Sequence, residues 1–296
     1  MAEHISFFDA IEANKRNSYL LIALMFAIFM GCVWAISYIL DIGLCGPILG
    51  FFALLLYTVT VYFAGDGIIL ALSGAKEAKR EQYPFLYNVA EGLALASQIP
   101  MPKLYVIEDP APNAFATGRD PKHASVAVTT GLLQMMKREE LEGVIAHEMS
   151  HIANYDIRFA MIAVVFAGAI ALLGDFAWRM MWLGGGRGGR RDRGGGGLVL
   201  IALVFVILAP IFAQVVRFAL SRQREFLADA NGARLTRYPE GLASALEKIG
   251  KAGLTTRAAN DTTASLFFSN PFPQKIGFLG STHPPIDERV KRLRAM

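Results

Sequence analysis

EELEGVIAHEMSHIANYD, residues 139–156, sets two imidazoles four residues apart with a carboxylate beside the first. As a helix the stretch projects His147 and His151 from one face. It leaves Glu148 at the edge of that face, within reach of a water on a metal held by the histidines, which is the HExxH arrangement of a zinc hydrolase. Glu139, Glu140 and Glu142 stand where a helix N-terminus favours negative charge, and Leu141, Val144, Ile145, Met149 and Ile152 supply an apolar stripe. The plainer alternative is a buried helix that merely contains two histidines. With 5 His among 296 residues, chance rarely produces this spacing.

Outward from this helix the chain becomes strongly apolar. Hydrophobic residues make up 54% and charged residues only 18%, with a mean hydropathy of +0.39, outside the usual range of a soluble domain. Tyr19–Leu40 has no charge and is long enough as a helix to cross a bilayer. Lys15 and Arg16 precede it, but no small-x-small cleavage site follows, so it reads as a retained anchor. Ile42–Gly65 is a second uncharged segment, separated from the first by Asp41 and a turn expected around Gly46 and Pro47. The pair reads as a tight hairpin whose two ends return to one side, with Asp66 as an interfacial cap. Phe159–Leu183 reads as a third span interrupted by Asp175 and Arg179, and Leu198–Val216 as a fourth, polar only at Gln214 and bent at Pro210. An alternative for the last two is a hydrophobic hairpin that does not cross. Gly184–Gly197, GGGRGGRRDRGGGG, reads as a flexible connector, and its place between apolar segments argues against a nucleic-acid partner. Cys32 and Cys45 fall in the apolar hairpin and indicate neither a disulfide framework nor a cysteine zinc site.

The remaining sequence is soluble in character. Pro84–Gln98 reads as a helix with Phe85, Leu86, Val89, Leu93 and Leu95 available for packing. Lys103–Glu108 and Ala124–Thr129 read as strands, with turns marked by Gly118 and Asp120-Pro121 between them. An edge of that sheet can take a peptide as an added strand. Phe218–Arg234, if helical, gathers Arg222, Glu225 and Asp229 on one polar face, so that Glu225 can point towards the first helix; ordinary interfacial charges are the alternative. A further helix is expected over Pro239–Gly250, loops beside the site up to Gly280, and a short basic helix from Ile286. The expected organisation is an N-terminal arm (1–18), a transmembrane hairpin (19–72), the first part of a catalytic domain (73–158), two apolar helices with their loop (159–220) and its second part (221–296). The fold class is an α-helical membrane protein with four transmembrane helices and an α+β, zincin-like metalloprotease domain.

HEMSHIANYD at His147–Asp156, SRQREFLADA at Ser221–Ala230, PNAFATG at Pro112–Gly118, THPP at Thr282–Pro285 and the surrounding spans resemble the HtpX family of bacterial membrane zinc proteases. That family is related to prenyl-protein endopeptidases and to mitochondrial membrane metalloproteases. The resemblance implies one Zn2+ per chain on His147, His151 and Glu225, with Glu148 as general base. It implies that Asp229 orients one of the histidines by accepting its other ring proton. Asn113 and Ala114 fall in the segment that borders the substrate strand in similar enzymes, and Arg222 and His283 are candidates for positioning substrate or stabilising an oxyanion. The resemblance also implies proteolytic quality control of membrane proteins and unfolded polypeptides at the bacterial inner membrane, with a multi-pass topology, a cytoplasmic catalytic domain and membrane quality-control partners. Lys15, Arg16, Lys76, Lys79 and Arg80 agree with that side by the positive-inside tendency, whereas the arginine loop argues the other way. Two other readings stand beside it. One is a prenyl-protein processing endopeptidase; the other is a metal-binding membrane scaffold without turnover, which His283 as a fourth ligand would favour. Oligomeric state is open. The short links between metal-bearing helices and apolar segments place the site near the membrane interface, above the hydrocarbon.

Overall fold

A computed structural model describes residues 7–39, 43–168, 222–259, 263–271 and 284–296. The fourth apolar segment, most of the third including Asp175 and Arg179, the glycine and arginine loop, and His283 lie outside the described residues.

The chain opens with α1 (Phe7–Ile39) and α2 (Cys45–Leu72). These are antiparallel: Phe26 meets Phe51 edge-on at 5.6 Å, and Gly50 lies so close to Val33 that a Cβ there would meet its side chain. α2 is long and apolar enough to cross a membrane, with a mean hydropathy of 2.0. Leu49, Phe52, Leu56 and Phe63 on α2 and Leu20, Leu24 and Trp34 on α1 face outward, as a lipid-contacting surface requires. Three details differ from the sequence reading. α1 is already helical from Phe7, so most of the supposed arm continues the first apolar helix. The turn between the helices precedes Cys45, and Gly46 and Pro47 lie in the first turn of α2, where a proline leaves no helical hydrogen bond unmade. Asp66 lies inside α2, not at its end.

A four-stranded sheet follows, with strands β1 (Lys76–Glu77), β2 (Lys103–Ile107), β3 (Ala114–Asp120) and β4 (His123–Thr129) in the order β1-β2-β4-β3. β2 and β4 are parallel and the other pairs antiparallel, so β3 is an edge. Helix α3 (Pro84–Ser97) lies between β1 and β2; Leu86, Val89 and Leu93 are buried, whereas Phe85 and Leu95 are exposed. The sequence reading left residues 111–123 as the stretch between two strands, with turns marked at Gly118 and Asp120-Pro121. In the structure Ala114–Asp120 is a full strand and only Pro121 and Lys122 make the turn. Gly118, at φ +142, sits where a Cβ would meet the His123 carbonyl, so its glycine serves close strand approach.

Alternation along the strands gives the sheet two apolar faces. Leu104, Val106, Ala116, Val126 and Val128 pack with α3, α5 (Arg138–Ala153), α8 (Pro239–Ala252) and α9 (Ile286–Arg294). Ile107, Phe115 and Ala127 pack on the other side with Leu21 and Met25 of α1, Val61 and Ile69 of α2, and Phe159, Ile162 and Phe166 of α6 (residues 156–168). The apolar hairpin is therefore not a remote tether, because its near end packs with α6 on one face of the sheet. α4 (Thr130–Met135) begins with Thr129 Oγ1 accepting from Leu132 N, and α5 with Glu140 Oε2 accepting from Lys137 N at 2.8 Å. α7 (Arg222–Thr236) lies against α5, where Gly232 lets its backbone reach that of His147.

Candidate metal centre

α5 and α7 each present a buried face to the other. His147 Nε2 and His151 Nε2 are 3.2 Å apart. Glu225 brings its Oε2 to 3.8 Å from His147 Nε2 and its Oε1 to 3.5 Å from His151 Nε2. Four ligands at the corners of a tetrahedron, each about 2.0–2.1 Å from zinc, lie about 3.3 Å from one another. The separations of the three ligand groups are thus already close to the edge lengths of such a tetrahedron.

The other ring nitrogens are held. His147 Nδ1 lies 2.9 Å from Asp229 Oδ1 and His151 Nδ1 lies 3.0 Å from Asp156 Oδ2, so each imidazole can give its Nδ1 proton to a carboxylate and turn an Nε2 lone pair inward. Asp229 is itself gripped by Arg289, whose Nε and Nη2 donate to its two oxygens at 2.9 and 2.7 Å. Arg289 is 1% exposed, donates from Nη1 to the Phe268 carbonyl at 3.1 Å and lies over the Phe268 ring. Phe268 in turn meets the His147 ring edge-on at 4.9 Å.

Burial pulls His147 down to about 4, only partly offset by Asp229, which keeps it neutral as a ligand must be. Burial also acts on His151, but Asp156, Glu225 and Glu148 outweigh it and push it up to about 9. That rise comes from the carboxylates gathered around the ring. Glu148, Glu225, Asp156 and Asp229 face Arg224 and Arg289, a surplus that one divalent cation balances. Spacing, tautomers and charge all fit a divalent metal ion. Glu148 is 2% exposed, accepts a hydrogen bond from the Ala116 backbone and is pushed up to about 7, chiefly by burial.

The cavity is lined by Ala116 of the edge strand, Ile157 and Ala160 of α6, Arg224 of α7 and the segment Ser265–Phe268, as well as the acid and imidazole groups. The structure brings together His147, Glu148, His151, Glu225 and Asp229. It places three other candidates differently. Arg222 is exposed and does not line the cavity; Arg224, half a turn on, does, because the inward face of α7 is set by Glu225 and Asp229. Asn113 is 2% exposed and spends its side chain on Thr256 Oγ1, the Ser269 carbonyl and Ser269 N. The Ala114 carbonyl accepts from Phe268 N at 2.7 Å. These two positions therefore carry a segment of the same chain, and the strand position open to the cavity is Ala116. The sequence reading gave Asp156, Arg224 and Arg289 no role at the centre, whereas Phe268 falls in the stretch it expected as loops beside the site.

The sequence matches the profile of peptidase family M48 over residues 80–296. A protein named Protease HtpX homolog from Dictyoglomus thermophilum is 48% identical over 98% of this chain and 95% of its own length. Proteins of the same name from Thermoanaerobacter pseudethanolicus and Streptococcus gordonii are 50% and 46% identical, over 96% and 98% of this chain and 95% and 99% of theirs. The crystal structure of S. mikatae Ste24p shares the fold with a TM-score of 0.50 at 18% identity, covering 96% of this chain and 66% of that one.

Proposed function

This chain belongs to peptidase family M48, as a membrane-associated metalloendopeptidase of the HtpX type, and from that premise we propose which residues do the work and on what. His147, His151 and Glu225 hold one zinc ion, Asp229 and Asp156 fix the two imidazoles, and Glu148 is the catalytic base. The observation that carries this reading is the near-tetrahedral spacing of the three ligand groups, with both Nδ1 atoms already engaged by carboxylates.

Zinc bound there supplies Lewis acidity towards water and towards the scissile carbonyl. Glu148 takes the proton of the attacking water on its carboxylate and passes it to the departing amine nitrogen. Burial raises its carboxyl above the ordinary range, which suits a group that must both take and return a proton. Ala116 brings the edge strand to the cavity, where an extended peptide adds as a further strand, a recognition mode with little side-chain code. Phe267 and Phe268 close the opposite wall and exclude water.

Broad backbone recognition suits unfolded segments of membrane proteins, and the role proposed is their quality control at the bacterial inner membrane. Asn14 near the start of α1 and Ser73 after α2 both lie at the catalytic domain, so the hairpin returns to the side it left. Lys15, Arg16, Lys76, Lys79 and Arg80 at that end favour the cytoplasm. The apolar segments 159–183 and 198–216, read as two crossings, would bring the chain back to the same side and keep both halves of the centre in that compartment.

Two variants test the assignment together. Glu148→Gln is expected to keep zinc while kcat/KM on a membrane-protein substrate falls about 10²–10⁴-fold. Glu225→Ala is expected to lose both. Native turnover in the first, or a full zinc complement in the folded second, rejects the corresponding role.

A further inference from the structure

Asp156 gives one carboxylate oxygen to His151, and its other oxygen is held from the far end of the chain. Asn14 of α1 donates from Nδ2 to Asp156 Oδ1 at 2.8 Å and to the Asn154 carbonyl at 2.9 Å, and its Oδ1 accepts from Arg224 Nη1 at 3.4 Å. The amide is 7% exposed and both its polar atoms are in use. An amide is costly to bury unless its bonding groups find partners, so this set of contacts is specific to the position.

The contact falls where α5 gives way to α6. Tyr155 has φ +60, a conformation unusual for a residue with a side chain, so the two helices meet at a sharp turn between His151 and Asp156. Asn14 braces that turn from both sides, at the carbonyl before Tyr155 and at the carboxylate after it. The next residue of α1 adds Lys15 Nζ over the Tyr155 ring at 4.3 Å. One more turn along, from Tyr19, α1 becomes the uncharged helix that packs beside α2.

We propose that Asn14 is a positioning residue for the metal-binding imidazole of His151, acting through Asp156, so that the first apolar helix is a working part of the metal centre. The proposal rests on the zinc-holding role assigned to His151 above. Its physical basis is a competition for one carboxylate. Arg224 Nε stands 3.7 Å from Asp156 Oδ1, too far for a hydrogen bond but close enough to attract it. With the Asn14 amide in place, Oδ1 is fixed and Oδ2 faces His151. Without it, the carboxylate is free to turn towards the guanidinium, and the His151 ring loses the acceptor that selects its tautomer.

The test uses the full chain in lipid nanodiscs, with zinc affinity read by competition against a chromophoric chelator. Asn14→Leu, of similar size but with no polar atoms, is expected to weaken zinc binding about tenfold, the lower range for loss of a partner that orients a ligand. Asn14→Ser is too short to reach Asp156 and is expected to behave alike, which covers a leucine variant that fails to fold. In an Asp156→Asn background, where His151 has already lost its carboxylate, neither substitution is expected to add a further loss. A residue that only joined two helices would lower thermal stability and leave zinc affinity alone. Unchanged affinity in the single variants, or an equal further loss in the double ones, overturns the proposal. If the native chain itself takes up no zinc, the metal reading falls and the proposal with it, an outcome distinct from normal zinc uptake by all the variants.

Discussion

Asp229 is buried between Arg289 and His147, and the balance there sets how the centre responds to acid. Burial alone would raise its carboxyl, but the Arg289 charge and the hydrogen bonds from His147 and Arg289 outweigh it and hold the group at about 2. A carboxyl lowered in the folded state contributes stability that is complete above the unfolded value, near 3.8, and lost as pH falls through the folded one. In chelated protein Asp229 is therefore expected to supply about 2 kcal/mol at neutral pH that disappears between roughly pH 4 and 2. Thermal unfolding of Asp229→Asn across that window is expected to show a flatter pH dependence than the native chain; an equally steep curve would refute the assignment. The same region shows which parts of the site sequence reveals. His147, Glu148 and His151 are legible because helical spacing places them together. Asp156 was in plain view but acts across the Tyr155 turn, where helical spacing no longer holds. Arg289 and Asn14 reach the centre by contacts whose partners are distant in sequence, and no local pattern announces those.

Among the elements, α5 is the one on which the others are built, and its first turn shows how. Glu140, expected as one of three acids favouring the helix start, is only 5% exposed. It accepts from Lys137 N at 2.8 Å, Ser244 Oγ at 2.8 Å and Lys248 Nζ at 2.7 Å, which locks α5 to α8. Glu140→Ala removes one acceptor from three donors. With Lys248 able to turn partly to water, the expected cost is about 2 kcal/mol, seen as a lower Tm with the zinc content of the folded fraction unchanged. An unaltered Tm would show that the bonds add nothing net. The helices α3, α8 and α9 were legible from proline starts, glycine or basic ends and apolar spacing. Strand β3 was not, because Gly118 and Asp120-Pro121 look like loop punctuation. Its Ala114 and Ala116 carry little strand preference and are small because α5 packs close above them.

At the scale of the whole molecule, the apolar helices pack directly on one face of the catalytic domain's sheet, and this sets the depth expected for the centre. Arg158 lies against the rings of Tyr19, Tyr62 and Tyr155, an aromatic and basic cluster of the kind found at a membrane boundary, and Asn154 is beside it in sequence and in space. A probe at Asn154 is expected to be quenched by lipids labelled near the headgroup and not by those labelled at the chain ends; the reverse would place the site inside the hydrocarbon. The hydrophobic hairpin was legible from composition, whereas its packing onto the second face of the sheet was not, since strands flanked by turns do not reveal what covers them. The grip of Arg289 on Asp229 has a further meaning in biosynthesis. The HExxH helix leaves the ribosome long before α9 does, and until α9 arrives Asp229 lacks its guanidinium partner and the Phe268 wall lacks its anchor. A nascent chain is thus expected to be inert towards its neighbours at the translocation machinery, and chains arrested before residue 286 should show no peptide cleavage. Cleavage by such arrested chains would mean that the protease is armed before its synthesis is finished.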